Sequence, residues 1–71
     1  MTTSLTKTIG LNIRKIREHK KISQHRLARE AEVSLSLLNW IEVGKRDNVT
    51  IKTLEKVAKV LEVSVEKLVV A

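Results

Sequence analysis

Three features of this 71-residue chain predict an all-α fold. Apolar residues recur every three or four positions along most of its length, which is the spacing of a helical face and not the alternation of a strand. Ser23, Ser34, Thr50 and Ser64 each precede a run of helix formers, where a side-chain oxygen can accept a hydrogen bond from an unpaired first-turn amide. No segment offers a strand candidate and no internal repeat stands out.

Met1 to Thr6 is polar and threonine-rich and is expected to be a flexible N-terminal arm, leaving Lys7 to Ala71 as the folded domain. The spacing predicts a first helix from about Lys7 to His19, with Ile9, Ile13 and Ile16 on one face. Gly10 should weaken it by about 1 kcal/mol relative to alanine. Lys20 and Lys21 suit its end, where positive charge meets the negative end of the helix dipole. From Ser23 to Arg46 the apolar or small residues Leu27, Ala28, Ala31, Val33, Leu38 and Ile41 satisfy two short helical faces but not one continuous helix. The second helix is therefore placed at about Gln24 to Ala31, with Ala28 small where another helix must cross closely. A break falls near Glu32 to Ser34, Val33 plugs the gap, and Ser34 caps a third helix from about Leu35 to Val43.

Gly44 is a natural left-handed stop, and Lys45 to Val49 reads as a polar loop. Thr50 caps a fourth helix, about Ile51 to Leu61, with Ile51, Leu54, Val57, Ala58 and Leu61 as its apolar stripe. Glu55 and Lys59 form an exposed pair one turn apart. Ser64 opens a short last helix, about Val65 to Val69, in which Val65, Leu68 and Val69 are apolar.

Size bounds the energetics. A domain this short buries only roughly 60% of the surface of its unfolded chain, so marginal stability is expected. With no cysteine, neither a disulfide nor a thiolate metal site can supplement the core. Met1 to Thr8 lacks the apolar centre of a signal peptide and no apolar run is long enough to span a bilayer, so a cytoplasmic, bacterial or phage-encoded protein without membrane partners is expected.

Fourteen Lys and Arg against eight acids give a net charge of +6, which favours a polyanionic partner without separating nucleic acid from an anionic membrane. Between Lys7 and Arg29 lie eight basic residues and a single acid, Glu18, whereas the segment after Thr50 is nearly balanced. A solvated basic surface with no partner is the plain alternative. No catalytic constellation is present, and no enzyme activity is expected. His19 and His25 lack companion cysteines or a nearby acidic cluster, and the two glycines cannot build a phosphate-cradling loop, so no metal, cofactor or small-molecule ligand is expected.

From Ile9 to about Val69 the chain resembles the helix-turn-helix domains of the phage Cro and repressor type, the XRE family. The residues that carry the likeness are Gln24, Leu27, Ala28, Val33, Ser34, Leu38, Ile41, Glu42 and Gly44, followed by LEKVAKVLEVSVEKL from Leu54 to Leu68. The resemblance implies a compact five-helix, lambda-repressor-like DNA-binding domain whose second and third helices form the DNA-reading unit. It also implies that Arg17 of the first helix pairs with Glu42 as a structural ion pair, and that Gln24 bonds a backbone phosphate. One position departs from the pattern: the turn residue, usually glycine, is Glu32. A left-handed backbone there costs a glutamate about 1 to 2 kcal/mol, unless the turn is reshaped.

A helix of this length fits the major groove, and the residues that read bases must lie opposite those that anchor it to the core. With Leu38 and Ile41 inward, Ser36, Trp40 and Val43 point outward and Asn39 lies on the flank. In the family, the positions of Leu35, Ser36, Asn39 and Trp40 meet bases or nearby phosphates. Asn39 can address adenine, while Leu35, Leu37 and the Trp40 ring can meet thymine methyl groups, so an A·T-leaning site read partly through shape is expected. Trp40 has an alternative place in the core or against a neighbouring subunit.

Ser23, Gln24, His25, Arg26, Lys45, Arg46 and Asn48 are the expected phosphate contacts, with Lys52 as a possible addition, and Arg14 and Lys15 as either contacts or plain solvated charge. The expected function is a transcriptional regulator of the repressor or autoregulator kind that binds double-stranded DNA at a palindromic operator as a homodimer. Val65, Leu68, Val69 and Val70 are the candidate interface, unless Leu68 simply closes the core. A protein-interaction module, antitoxin-like or adaptor, that uses the apolar Leu35, Leu37 and Trp40 face is the first rival. A cationic membrane-surface peptide is the second.

Overall fold

The computed structural model describes residues 4–45 and 49–70, so the roles expected of Arg46 and Asn48 lie outside the described residues. Among the described residues five helices follow one another: α1 (Ser4–His19), α2 (Gln24–Ala31), α3 (Leu35–Glu42), α4 (Ile51–Leu61) and α5 (Val65–Val69). α1 packs on α3 and α5, α2 on α3 and α4, and α4 on α5, so every helix reaches a shared centre. Ile13, Leu27, Leu38, Ile41, Val57, Leu61 and Leu68 are fully enclosed there.

Two expectations about the element ends change. α1 begins at Ser4, not Lys7, so Ser4 to Thr6 form its first turn, and Met1 to Thr3 of the expected arm lie outside the described residues. Thr6 sits three residues before Ile9 and seven before Ile13, on their side of the helix, and its burial docks that turn on the core. Ile51 is 64% exposed, because the first residue of α4 precedes the stretch that meets the core; the buried stripe is Leu54, Val57, Ala58 and Leu61.

The chain turns corners with one repeated local device. Lys21, Glu32 and Glu62 all adopt left-handed backbone, at φ 59°, 58° and 59°. Each ends a helix, and the amide of the next residue bonds back across the terminus: Ile22 to the Arg17 carbonyl, Val33 to Ala28 and Val63 to Ala58, each at 3.0 Å. This satisfies carbonyls that a helix end would otherwise leave unpaired, and the apolar residue that donates the bond tucks against the core. A serine then starts the next helix.

The tripeptides Lys21-Ile22-Ser23, Glu32-Val33-Ser34 and Glu62-Val63-Ser64 thus encode stop, plug and start. Ser23, Ser34 and Thr50 accept first-turn amide bonds at 3.0, 3.0 and 3.1 Å. Ser64 has the same extended backbone but makes no side-chain cap bond. The turn at Glu32 is therefore not reshaped; the glutamate accepts the left-handed geometry.

Gly10 has a positive role that helix propensity does not show. A Cβ built there would fall inside the Ile41 carbonyl group and 3.1 Å from the Glu42 carbonyl oxygen, so α1 can lie this close to the end of α3 only because the side chain is absent. Gly10→Ala is therefore predicted to lower unfolding free energy in urea by about 1 to 3 kcal/mol, although alanine is the better helix former. Glu32→Gly should raise it by about 1 kcal/mol through relief of the left-handed backbone. A Gly10→Ala protein as stable as the parent would show that α1 and α3 do not approach in this way.

Candidate nucleic-acid interface

The outer face of α3 is built by what its inner face must do. Leu38 and Ile41 are 0% and 1% exposed, which fixes the rotation of an eight-residue helix and turns Ser36, Asn39 and Trp40 to solvent. Trp40 is 52% exposed and Leu35 37%, so Trp40 does not pack in the chain's own core. Leu37 is half-buried at the margin. The Ser34 hydroxyl takes the Leu37 amide, leaving the Leu35 and Ser36 amides as the remaining donors at this positive helix end.

The rear of the helix is held by an ion-pair junction. The Arg17 guanidinium donates from Nε to Glu42 Oε2 at 2.8 Å and from Nη2 to Oε1 at 2.9 Å, while Nη1 donates to the Ile22 carbonyl at 2.9 Å. Gln24 Nε2 donates to Glu42 Oε1 at 3.0 Å. One carboxylate at the end of α3 thus gathers α1, the turn after it and the start of α2. The hydrogen bond to Glu42 raises the Arg17 pKa above its ordinary value, partial burial opposes that shift, and attraction to Glu42 and Glu18 adds to it. The guanidinium therefore keeps its charge at any working pH. No buried side-chain nitrogen or oxygen among the described residues lacks a partner.

The other predicted positions divide. At the start of α2, Ser23 Oγ accepts from the Arg26 amide, and Arg26 Nε reaches Glu30 at 2.8 Å in an exposed pair that contributes little to stability. Gln24 has one amide hydrogen on Glu42 and a second to offer, while His25 and Lys45 are exposed. Arg14 bonds Glu18 at 3.3 Å on the surface, and Lys15 is exposed. His19 and His25 are both solvent-facing, and no cluster of His, Cys, Asp or Glu among the described residues could hold a metal. Among the described residues no helix is long and apolar enough to cross a membrane.

Leu68 must leave the proposed dimer interface: it is fully buried and closes the core, with no surface to give a second chain. Val65 and Val69 are half-buried against that core, and Val70 is 63% exposed.

Two residues were not singled out from sequence. Lys7 lies against Gly44, its Cγ 3.3 Å from where a Gly44 Cβ would stand, which brings a cation of α1 beside the end of α3. Helical periodicity does not reveal this neighbour; only the tertiary crossing gives it. Asn12 Nδ2 donates to the carbonyls of Leu68 at 3.0 Å and Val70 at 2.7 Å, tying the end of α5 to α1. An asparagine on the flank of an apolar stripe was its only sequence signal.

The family model described as Helix-turn-helix matches residues 13–68, which contain the α2 to α3 unit and the Arg17 to Glu42 junction. The chain belongs to the helix-turn-helix family of the Cro and repressor (XRE) type. It is 43% identical over 60 residues, 84% of its length, to the HTH-type transcriptional regulator SinR of Bacillus subtilis. It spans about half, 54%, of that relative. A crystal structure of SinR, named there as the master regulator for biofilm formation and solved in complex with DNA, superposes with a TM-score of 0.81 at 43% identity, covering 84% of this chain and 95% of that one. The restriction-modification controller protein C.AhdI from Aeromonas hydrophila superposes with a TM-score of 0.84 at 28% identity, covering 89% and 94%. The all-α, lambda-repressor-like architecture of this helix-turn-helix chain is thus shared with solved regulators.

The junction predicts a division of labour between two cations. Arg17→Met leaves the Glu42 carboxylate stranded and should lower unfolding free energy by about 3 to 5 kcal/mol, whereas Lys45→Met, on an exposed side chain, should change it by no more than about 0.5 kcal/mol. Equal losses in parallel urea titrations would contradict a structural role for Arg17.

Proposed function

We propose that this chain is a sequence-specific double-stranded DNA-binding transcriptional regulator that inserts α3 into the major groove of a palindromic operator and acts as a homodimer. The observation that carries this is the outer face of α3: Ser36, Asn39 and Trp40 stand free on a helix whose inner face and both ends are fixed. Leu35, Ser36, Asn39 and Trp40 are assigned to the bases. Ser23, Gln24, His25, Arg26 and Lys45, with Arg46 and Asn48, are assigned to phosphates, and Lys7 joins them from beside Gly44. Asn39 can pair with adenine and the apolar side chains with thymine methyls, so the site leans to A·T.

The longest dimension of the fold is 29 Å, less than one turn of DNA at about 34 Å, so one copy covers one half-site and a symmetric pair reads the whole. Val65, Val69 and Val70 remain the proposed contact between copies. SinR and C.AhdI, as named regulators, support the same reading, and a cytoplasmic, non-enzymatic role goes with it. The exposed apolar residues Leu35, Trp40 and Val43 favour one rival, a protein-interaction surface on the same helix.

Selection from a random duplex library separates the two. An enriched, two-fold symmetric site is expected, with log affinity falling against log salt at a slope of about −5 if six phosphates are neutralised per copy. Trp40→Ala should weaken binding to that site by about 1 to 3 kcal/mol and leave stability nearly unchanged, and Trp40 emission should change on adding the duplex. No enrichment, together with a flat salt response, would favour the protein-binding rival.

A further inference from the structure

On the flank of α1 away from α3, the surface holds a groove whose apolar floor and remaining cations the proposed DNA contacts do not use. Its residues are Lys15, Ile16, His19, Lys20, Val63 and Lys67. Gly10 and Arg17 mark the flank of α1 that meets α3, and Asn12 marks the opposite flank, which meets α5. Ile16 lies one turn on from Asn12, so the groove opens behind the α3 face. Ile16 and Val63 are half-buried and form an apolar floor. Lys15, His19, Lys20 and Lys67 are exposed around it. No acid lines it: Glu18 is held by Arg14, and Glu62 and Glu66 lie outside the lining.

We propose that this groove docks an acidic amphipathic helix of a partner protein, with apolar side chains on Ile16 and Val63 and carboxylates on the surrounding lysines. The two halves of the lining select this occupant together. Lysine stems extend an apolar floor while their ammonium groups stay at its rim, which matches a helix with apolar anchors one turn apart flanked by acids. A phosphate backbone would use the cations and leave the floor unfilled, whereas an uncharged apolar helix would leave the cations without partners.

The probe is a synthetic peptide of roughly three helical turns with two leucines one turn apart and flanking glutamates. It is titrated into the isotope-labelled full chain and followed by amide shifts. The expected result is shift changes confined to Lys15 to Lys20 and Val63 to Lys67, with affinity falling as salt rises. The Lys20→Glu/Lys67→Glu double variant should weaken the peptide by about tenfold or more, as should replacing its glutamates by glutamine, while the variant's melting temperature and affinity for the selected duplex stay close to the parent's.

Four outcomes would overturn the proposal: no shifts at millimolar peptide, shifts on α3 instead, equal binding of the glutamine peptide, or a charge-reversed variant that loses duplex affinity and keeps the peptide. Concentration-dependent shifts at the groove without peptide would also overturn it, since a second copy would then be the occupant. Major-groove binding by α3 is tested separately by the duplex selection, so an unoccupied groove leaves that reading standing.

Discussion

Everything on the outer face depends on the bidentate pairing of Arg17 with Glu42. α3 has only eight residues, too short to hold itself as an isolated helix, so its direction must come from what it touches. The Glu42 carboxylate, its side chain 2% exposed, is tied to α1 through Arg17 and to α2 through Gln24. Arg17 reaches on to the Ile22 carbonyl, which joins the stop after α1 to the same point. A pair buried this far is not necessarily a net stabiliser against an apolar replacement, because both charges lose water. Its value here is directional, since a planar fork and a carboxylate meet in one geometry. With α3 so fixed, burial of Leu38 and Ile41 leaves Leu35, Ser36, Asn39 and Trp40 with one orientation, outward.

The second constraint is steric. The missing side chain at Gly10 lets the α1 backbone press on the last turn of α3, next to the residue whose carboxylate Arg17 holds. Packing and charge therefore act on the same few atoms. The glycine that costs α1 helix propensity is repaid by the tertiary contact, and Gly44 just beyond, at φ +75°, lets the chain leave α3 beside Lys7.

Much of this was legible in the sequence, and the exceptions share a cause. Helix positions are legible because the apolar period and the serine and threonine caps report on local geometry, and the outward set on α3 follows from Leu38 and Ile41 as its anchors. The Arg17 to Glu42 pair came from family likeness; its partners at Ile22 and Gln24 required coordinates. What sequence could not show were close approaches between distant segments: Gly10 under Ile41, Asn12 on the end of α5, Lys7 beside Gly44. The start of α1 was missed because Thr6, a polar residue, is buried on the core side. Ile51 was misplaced because periodicity says nothing about where the core ends. Leu68 was offered to a partner, although a chain this short needs it inside. The stop, plug and start tripeptides stand in the sequence without a signal of their own, since glutamate and lysine do not mark a left-handed cap as glycine does.

The central claim is that Arg17 and Glu42 act as one unit that aims α3, and a double-mutant cycle measures it most directly. Arg17→Met, Glu42→Leu and the double variant would be compared for unfolding free energy and for affinity toward a selected duplex. The account predicts that the double variant loses far less stability than the sum of the singles, with a coupling above about 1.5 kcal/mol, and that its duplex affinity stays impaired while it is folded. Additive losses, or a folded double variant that binds the duplex as tightly as the parent, would contradict it.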